Sequence, residues 1–175
     1  MKKQNVVLIG FMGSGKSTVG IRLSYRLRRV VEDTDKLIEK KMKRTISDIF
    51  AVEGEAYFRQ LETDMLRELT GCNTEKIISV GGGTPVREEN RSLLGQLGTV
   101  VYLRIQPETV YERLKNDTTR PLLQGTDPRG KIEALLKARK DAYESCADLI
   151  IDVDALGIAE VVDRIEEYLV RPDGQ

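Results

Sequence analysis

The sequence predicts a three-layer α/β fold in which helices cover both faces of a mostly parallel sheet. Two observations predict this fold class. Short apolar runs rich in β-branched residues alternate along the chain with longer amphipathic segments, and polar residues rarely interrupt the apolar runs. Strands of this composition are typical of parallel sheets that are buried on both faces. The alternation of strands and helices implies right-handed crossovers between the parallel strands.

Five apolar runs are the strand candidates. They are NVVLI (5–9), RVVED (29–33), KIISV (76–80), TVVYLRI (99–105) and DLIIDV (148–153). Each run is long enough for a strand and shorter than a typical helix. Because the runs are almost wholly apolar, we expect all five strands to be buried on both faces of the sheet.

Four amphipathic segments predict helices. These segments are residues 16–28, 55–70, 126–146 and 155–170. In the second segment, a stripe of apolar residues at helical spacing predicts a core-facing surface made of Phe58, Leu61, Met65, Leu66 and Leu69. The third segment opens with Asp127 as a predicted N-cap and Pro128 at the first helical position. No repeat or linker separates these elements, so we expect a single domain over residues 1–175.

The composition excludes several classes of function. Basic and acidic residues number 28 each, so no net charge attracts nucleic acid or anionic lipid. The chain has no histidine, which excludes a Ser-His-Asp triad, a histidine-ligated metal and a histidine base. No apolar run suits a signal peptide or a membrane span, and two cysteines, Cys72 and Cys146, are too few for a disulfide framework. We therefore expect a cytoplasmic protein without nucleic-acid or membrane partners.

The segment GFMGSGKST, residues 10–18, predicts a phosphate-binding loop. It satisfies the pattern G-x-x-x-x-G-K-S and lies between the first strand and a helix. Its glycines let backbone N–H groups turn inward, and the following helix directs its positive end at the phosphates. The residues expected at the phosphates are Gly13, Ser14, Gly15, Lys16, Ser17 and Thr18. We expect Lys16 to reach the β- and γ-phosphates and Ser17 to ligate Mg²⁺.

The segment EDTD supplies two carboxylates for phosphoryl transfer. Asp33 and Asp35 follow the second strand, at the carboxyl edge where ligands of α/β proteins bind. Two residues apart in an extended segment, they can face the same side. One can hold Mg²⁺ through water while the other addresses the hydroxyl that accepts the phosphoryl group. The alternative is a pair of acids that merely caps a helix.

Two more segments have the character of ligand-binding loops. GGGTP, residues 81–85, directly follows the third strand, and three successive glycines allow close approach of the main chain to a ligand. Residues 116–129 are polar and interrupted by Gly and Pro, which predicts a lid that carries Arg120. We expect Leu122 and Leu123 to dock the closed lid on apolar surface. A plain turn and an idle surface loop are the respective alternatives.

Six segments in chain order resemble the shikimate kinase family, which are small P-loop kinases of the nucleoside-monophosphate-kinase-like group. The segments are GFMGSGKSTVG, EDTD, EGEAYFRQLE, SVGGGTP, TRPLL and RKDAYESCAD. The resemblance covers nearly the whole chain and implies a P-loop fold with a five-stranded parallel sheet in the order 2-3-1-4-5. It further implies a helical substrate-binding region at about 34–62, a lid at about 116–129, and phosphorylation of the 3-hydroxyl group of shikimate by MgATP in aromatic amino acid biosynthesis.

The resemblance also implies roles for individual residues. Asp35 contacts the substrate hydroxyls and is the candidate base, while Asp33 lies near Mg²⁺. Arg59 and Arg139 hold the substrate carboxylate, for which paired guanidinium groups are well suited. Arg120 closes over the phosphates. The glycines that line the substrate pocket are Gly81, Gly82 and Gly83, and the residue expected to stack on adenine is Arg113.

Other interpretations stay open on the sequence alone. We expect Glu62, one turn from Arg59, to fix its guanidinium, whereas RKDAY lacks the proline that family members commonly carry after the carboxylate-binding arginine. A GTP-hydrolysing switch lacks its guanine-reading N-K-x-D here. A related kinase acting on gluconate or on a nucleotide, and a noncatalytic nucleotide-binding module, are the remaining alternatives. We expect a monomer, since one such domain completes its own site.

Overall fold

A computed structural model describes residues 5–72, 74–120 and 124–171. Its strands are β1 (Asn5–Ile9), β2 (Val30–Asp33), β3 (Lys76–Ser79), β4 (Gly98–Arg104) and β5 (Leu149–Asp152). They form one sheet in the order β2-β3-β1-β4-β5, with every neighbouring pair parallel. The predicted fold class and strand order are confirmed.

Helices occupy both faces of the sheet. They are α1 (Lys16–Leu27), α2 (Thr34–Met42), α3 (Ile46–Glu53), α4 (Glu55–Thr70), α5 (Glu88–Leu97), α6 (Pro107–Leu114), α7 (Pro128–Cys146) and α8 (Ile158–Val170). A short 3-10 helix, Thr84–Val86, follows β3. The sequence did not predict α5 and α6, because both are short and each buries only a few side chains. None of the helices in the described part of the chain is long and apolar enough to cross a membrane.

The core consists of two apolar clusters, one on each face of the sheet. Along β1, Val6 and Leu8 pack in one cluster, and Val7 and Ile9 pack in the other. This alternation follows from the two-residue period of a strand. Helices α1 and α8 contribute to the first cluster, while α4 and α5 contribute to the second. Both faces of β1 are therefore buried, as its uninterrupted apolar run predicts.

The two edge strands are less buried than the sequence predicts. Val30 of β2 is 64% exposed and Ile150 of β5 is 37% exposed. Both strands have a neighbour on one side only, so helices do not cover them completely. The expectation that all five strands are buried on both faces is wrong for these two.

The structure confirms the predicted N-cap of α7 and moves the predicted start of α8. The carboxylate of Asp127 accepts a 3.0 Å hydrogen bond from the Gly130 backbone N–H and caps α7 as predicted. Helix α8 begins at Ile158, a few residues later than expected, because Glu160 accepts a 2.8 Å hydrogen bond from the Gly157 N–H. Helix α7 brings the sequence that follows the lid back to the sheet, where it reaches the functional site.

Candidate active site

A cavity of about 570 Å³ opens at the carboxyl edge of the sheet. Its wall is formed by the phosphate-binding loop, the start of α2, helix α4, the glycine turn after β3, and single residues from the lid and α7. The predicted site residues that line it are Gly13, Gly15, Lys16, Ser17, Thr18, Asp33, Asp35, Arg59, Gly81, Gly82, Gly83, Arg120 and Arg139. Tertiary structure thus brings together predicted site residues that are up to 126 positions apart, from Gly13 to Arg139.

Two predicted site residues lie outside this cavity lining. Ser14 is 2% exposed, and its hydroxyl has no hydrogen-bond partner within the described residues. Arg113 lies at the end of α6 and donates a 2.8 Å hydrogen bond from Nη1 to the Gly13 carbonyl oxygen. Arg113 therefore contacts the phosphate-binding loop without lining the cavity.

The phosphate-binding loop has the backbone shape that its glycines predict. Gly13 and Gly15 have φ angles of 78° and 96°, which side-chain-bearing residues rarely adopt. The Lys16 ammonium donates hydrogen bonds to the carbonyl oxygens of Gly10 at 2.7 Å and Phe11 at 3.1 Å. Burial lowers the pKa of Lys16 to about 8, although the Asp35 and Asp33 carboxylates act in the opposite direction.

The two aspartates after β2 have different surroundings. Asp33 caps α2, since its Oδ1 accepts a 3.1 Å hydrogen bond from the Lys36 N–H. Asp35 lies in the first turn of α2 and is half-buried. Its Oδ1 is buried without a hydrogen-bond partner among the described residues. Burial, with further contributions from Asp33 and Glu62, raises the pKa of Asp35 to about 6. Asp33 thus both caps α2 and lines the cavity, whereas Asp35 lines the cavity with an oxygen that has no partner among the described residues.

Arg59 is held by a buried carboxylate. Its Nη1 donates a 2.7 Å hydrogen bond to Glu62 Oε2, and the Glu62 side chain is only 1% exposed. Glu62 Oε1 accepts a 2.6 Å hydrogen bond from the Thr84 hydroxyl. A second, weaker contact joins Arg59 Nη2 to Glu55 at 3.3 Å. The predicted pairing of Glu62 with Arg59 is present.

The glycine turn leaves no space for side chains. A Cβ atom on Gly81 would lie 2.9 Å from Glu62 Oε1 and 3.0 Å from Asp35 Oδ1. On Gly83 it would lie 2.5 Å from Arg59 Nη1. Such distances are shorter than ordinary van der Waals contact, so the polar groups of the cavity pack directly on this main chain.

Arg139 reaches the cavity from the middle of α7. Its guanidinium carbon lies 5.7 Å from the centre of the Phe11 ring, within the range of a cation–π contact. One turn later, the Tyr143 hydroxyl donates a 2.6 Å hydrogen bond to the Gly82 carbonyl oxygen. Helix α7 continues from Pro128 to Cys146 without interruption. The helix that carries Arg139 is therefore continuous, although the chain lacks the proline that family members commonly carry after this arginine.

The lid arginine is an exposed charged group at the cavity. The Arg120 side chain is 46% exposed and pairs with Asp117 Oδ2 at 3.5 Å. Leu122 and Leu123, which were expected to dock the closed lid, lie outside the described residues. Arg120 therefore stands at the rim, within the lining of the cavity but paired to its own loop.

Comparison with known proteins assigns this arrangement to a family. The family model "Shikimate kinase" matches residues 12–170. The shikimate kinase of Symbiobacterium thermophilum is 44% identical over 168 residues, covering 94% of this chain and 95% of that protein. The shikimate kinase of Legionella pneumophila (strain Corby) is 40% identical, covering 97% and 96%.

The chain belongs to the shikimate kinase family. A solved structure, the shikimate kinase from Acinetobacter baumannii in complex with shikimate, has a TM-score of 0.88 and 38% identity, covering 95% of this chain and 93% of the other. A gluconokinase from Sinorhizobium meliloti has a TM-score of 0.61 at 17% identity, which shows only that the fold is shared. The predicted resemblance to shikimate kinases is confirmed.

Some residues that line the cavity of this shikimate kinase family member were not predicted from the sequence. Phe58 was assigned to the core, but it also lines the cavity, and Lys36 lines it as well. On α4 the buried face includes the polar residues Glu62 and Thr63, whereas Leu61 of the predicted stripe is only partly buried. A search for apolar periodicity cannot find buried polar residues, because it assigns them to the solvent face.

The donor set suits magnesium bound together with phosphates. Ser17 and Asp33 both line the cavity, beside the loop expected to bind the phosphates. Within residues 5–72, 74–120 and 124–171, no group of three acidic or cysteine side chains could hold an ion alone. Mg²⁺ commonly takes one or two protein oxygens and completes its shell with water and phosphate oxygens. The residues present therefore fit Mg²⁺ that arrives with a nucleotide.

Proposed function

We propose that this chain transfers the γ-phosphoryl group of MgATP to the 3-hydroxyl group of shikimate, giving shikimate 3-phosphate and ADP in the route to chorismate and the aromatic amino acids. One observation carries the proposal. A single cavity is lined by Lys16 and the phosphate-binding loop, by Arg59 and Arg139, and by Asp35. The relatives named above, with 40–44% identity over nearly the whole chain, support shikimate as the acceptor.

Arg59 and Arg139 bind the shikimate carboxylate. Guanidinium groups form paired, charge-assisted hydrogen bonds with a carboxylate, so two of them set its orientation as well as its position. Glu62 neutralises part of the charge of Arg59 and limits its rotamers. Gly81, Gly82 and Gly83 let the substrate ring approach the main chain of the wall, since any side chain there would meet Arg59, Arg139 or Asp35.

Asp35 orients the hydroxyl group that attacks the phosphorus. Its buried Oδ1 has no protein partner in the described residues, which suits an acceptor for a substrate hydroxyl. With a pKa of about 6, it is ionised near neutral pH and a stronger base than an exposed carboxylate. Phosphoryl transfer needs positioning and charge stabilisation more than strong proton abstraction, so a carboxylate suffices without any histidine.

The phosphate-binding loop and Lys16 hold the triphosphate. Backbone N–H groups of residues 13–18 surround the phosphates at the N-terminus of α1. Lys16 exchanges its contacts with the Gly10 and Phe11 carbonyls for the β- and γ-phosphates, and the added negative charge keeps it protonated. Ser17 and Asp33, which both line the cavity, would hold Mg²⁺ together with the phosphates. When bound, Mg²⁺ supplies positive charge to the oxygens of the transferring group.

Arg120 and Arg113 complete the nucleotide site. Arg120 exchanges Asp117 for the phosphates when the lid at residues 116–129 closes, which also excludes water. Arg113, which donates a hydrogen bond to the Gly13 carbonyl oxygen of the loop, stacks on adenine. We place substrate binding in residues 34–62 and treat residues 1–175 as one domain, supported by two apolar clusters on the two faces of a single sheet.

The protein acts as a cytoplasmic monomer. The cavity is lined by residues from one chain, and each predicted chemical role has a candidate side chain there or on the adjoining loop. Cys72 and Cys146 are free thiols, which supports a reducing compartment. Burial raises the pKa of Cys146 to about 11, so this thiol is unreactive at neutral pH.

The test is an ADP-release assay with shikimate, gluconate and nucleoside monophosphates measured side by side. We expect release that depends on shikimate, with the phosphorylated product identified by ³¹P NMR. Arg139→Gln should raise the KM for shikimate, while the matched control Lys140→Gln, an exposed neighbour on α7, should leave it unchanged. Full-rate release without shikimate would favour a hydrolase, and activity on gluconate a sugar-acid kinase; either result refutes the proposal.

A further inference from the structure

A buried cluster of polar side chains lies behind the substrate cavity and does not line it. Its members are Thr63 on α4, Thr84 in the turn after β3, and Asn90 on α5. Their exposed fractions are 0%, 1% and 0%. No role in substrate or nucleotide binding accounts for them, because none of the three is in the cavity lining.

Asn90 connects two of these elements through both ends of its side-chain amide. Its Nδ2 donates a 2.9 Å hydrogen bond to the Thr84 carbonyl oxygen. Its Oδ1 accepts a 2.8 Å hydrogen bond from the Thr63 hydroxyl. This hydroxyl in turn accepts a 2.9 Å hydrogen bond from Arg87 Nη1. The partners fix the orientation of the amide, because the reverse orientation would place its oxygen against the Thr84 carbonyl.

Of the two elements that Asn90 joins, α4 carries Arg59, one of the two arginines proposed to bind the shikimate carboxylate, and the glycine turn packs against Arg59. Thr63 is one helical turn from Arg59, and its hydroxyl also lies 3.1 Å from the Arg59 carbonyl oxygen. Thr84 follows the glycine turn, on which the Arg59 guanidinium packs. The Thr84 hydroxyl already pairs with Glu62, the partner of Arg59. The Asn90 bridge therefore lies one layer beneath the Arg59–Glu62–Thr84 contacts.

A buried amide at this position is informative because an apolar residue could fill the same space. A fully satisfied polar group in the interior fixes the register of the elements it joins, whereas apolar packing tolerates small shifts between them. Nearby positions of α5, Leu94 and Leu97, are apolar and buried in the usual way. Asn90 is thus the polar member of an otherwise apolar buried face.

We propose that Asn90 is a positioning residue for shikimate: it sets the distance between α4 and the glycine turn, and thereby the position of the Arg59 guanidinium, without touching substrate or nucleotide. This inference rests on the proposed function. It assigns the effect to shikimate alone, since the phosphate-binding loop follows β1 and makes no contact with this cluster in the hydrogen bonds described.

The test compares Asn90→Leu with a matched variant of the same helix. Asn90→Leu keeps the branching of the side chain and removes both hydrogen bonds; Leu94→Ala destabilises α5 by a cavity and leaves the polar cluster intact. We expect Asn90→Leu to raise the KM for shikimate by about tenfold, as displacement of a positioning group does. The KM for ATP should stay within about twofold, and Leu94→Ala should change neither KM, even with a similar loss in Tm.

A second pair of variants approaches the same hydrogen bond from α4. Thr63→Val removes the hydroxyl and should raise the KM for shikimate like Asn90→Leu, while Thr63→Ser restores a hydroxyl and should return it to near the wild-type value. The inference is overturned if both KM values rise together, if Leu94→Ala reproduces the effect, or if the KM for shikimate does not move. A wild-type chain without shikimate-dependent ADP release would instead overturn the proposed function, and this inference with it.

Discussion

The Tyr143 hydroxyl donates a 2.6 Å hydrogen bond to the Gly82 carbonyl oxygen, which ties α7 to the glycine turn. The Tyr143 side chain is fully buried and its ring packs on Tyr102 with 4.9 Å between centroids. Arg139 lies one turn earlier on the same helix and contacts the same glycine, since a Cβ on Gly82 would lie 3.3 Å from Arg139 Nη1. The hydrogen bond from Tyr143 therefore joins the helix that carries Arg139, one of the two arginines proposed to bind the shikimate carboxylate, to the glycine turn.

Removing this hydroxyl tests its effect on substrate binding. Tyr143→Phe keeps the ring and loses one hydrogen bond, which lowers the free energy of unfolding by about 1 kcal/mol. We expect the KM for shikimate to rise several-fold, because α7 and Arg139 gain freedom relative to the glycine turn, while the KM for ATP stays constant. Tyr168→Phe on α8 is the control. An unchanged KM for shikimate would mean that the contact serves stability alone.

Adding one methyl group at Gly83 should displace Arg59 without unfolding the protein. The new Cβ would lie 2.5 Å from Arg59 Nη1, and the end of a long side chain moves more easily than the main chain. Gly83 has φ −89°, which alanine adopts without strain. We expect Gly83→Ala to raise the KM for shikimate by about tenfold, measured beside Gly95→Ala, whose Cβ meets nothing within 4 Å. Equal kinetics for the two variants would contradict the placement of Arg59.

We expect kcat/KM to fall at acid pH as Asp35 is protonated and at alkaline pH as Lys16 loses its proton. Asp35 must be ionised to accept the hydroxyl proton, so activity falls below pH about 6. Lys16 must be protonated to bind phosphate, so kcat/KM for ATP falls above pH about 8. In the nucleotide complex the phosphates raise the pKa of Lys16, so the alkaline limb should weaken in the profile of kcat. Steady-state rates from pH 5 to 10 measure this, and an acid limb near pH 4 would exclude Asp35 as the controlling group.

Replacing Asp35 by asparagine should stabilise the protein while it abolishes turnover. The folded state raises the pKa of Asp35 from 3.8 to about 6, so it binds the proton more tightly than the unfolded state does. The free energy of unfolding therefore decreases as pH rises between these values, by about 3 kcal/mol in total, and asparagine has no such loss. Thermal unfolding at pH 7 should show a higher Tm for Asp35→Asn than for wild type.

The stabilisation from Asp35→Asn should disappear at acid pH. Below pH 3.8 the carboxyl group is protonated in both states, so the two proteins should unfold with similar free energies. Asp141→Asn, an exposed position on α7, controls for the loss of one negative charge. A gain in stability that does not depend on pH would show that burial of the ionised carboxylate is not its cause.

Loss of the lid arginine should affect turnover far more than ATP affinity. Arg120 is exposed and paired with Asp117, so it contributes little to the site until the lid closes. We expect Arg120→Ala to lower kcat by about 10²-fold or more through lost stabilisation of the transferring group, with little change in the Kd of ATP. Lys137→Ala, an exposed α7 position outside the active-site cavity, is the control. A parallel loss of affinity and turnover would indicate a simple binding role.

The parts of the site that are contiguous in the chain could be predicted from local sequence. The phosphate-binding loop needs glycines at positive φ followed by a helix, and both requirements are written in residues 10–18. The three glycines of the turn after β3 are likewise contiguous in the chain and pack closely against Arg59 and Asp35; their role as a ligand wall stays a prediction. Strand composition likewise predicted a parallel sheet with a buried centre, because short, nearly continuous apolar runs are typical of strands buried on both faces.

Residue type and spacing alone determined which chemical groups this protein has available, and the P-loop is its clearest example. Only tertiary structure decided which of the arginines meet at one cavity, which strands lie at the exposed edges, and that Glu62, Thr63 and Asn90 are buried. Burial of these polar side chains depends on partners from other elements: Thr84 pairs with Glu62 and with Asn90, and Asn90 pairs with Thr63. Such partners are distant in the chain, so no local pattern can contain them.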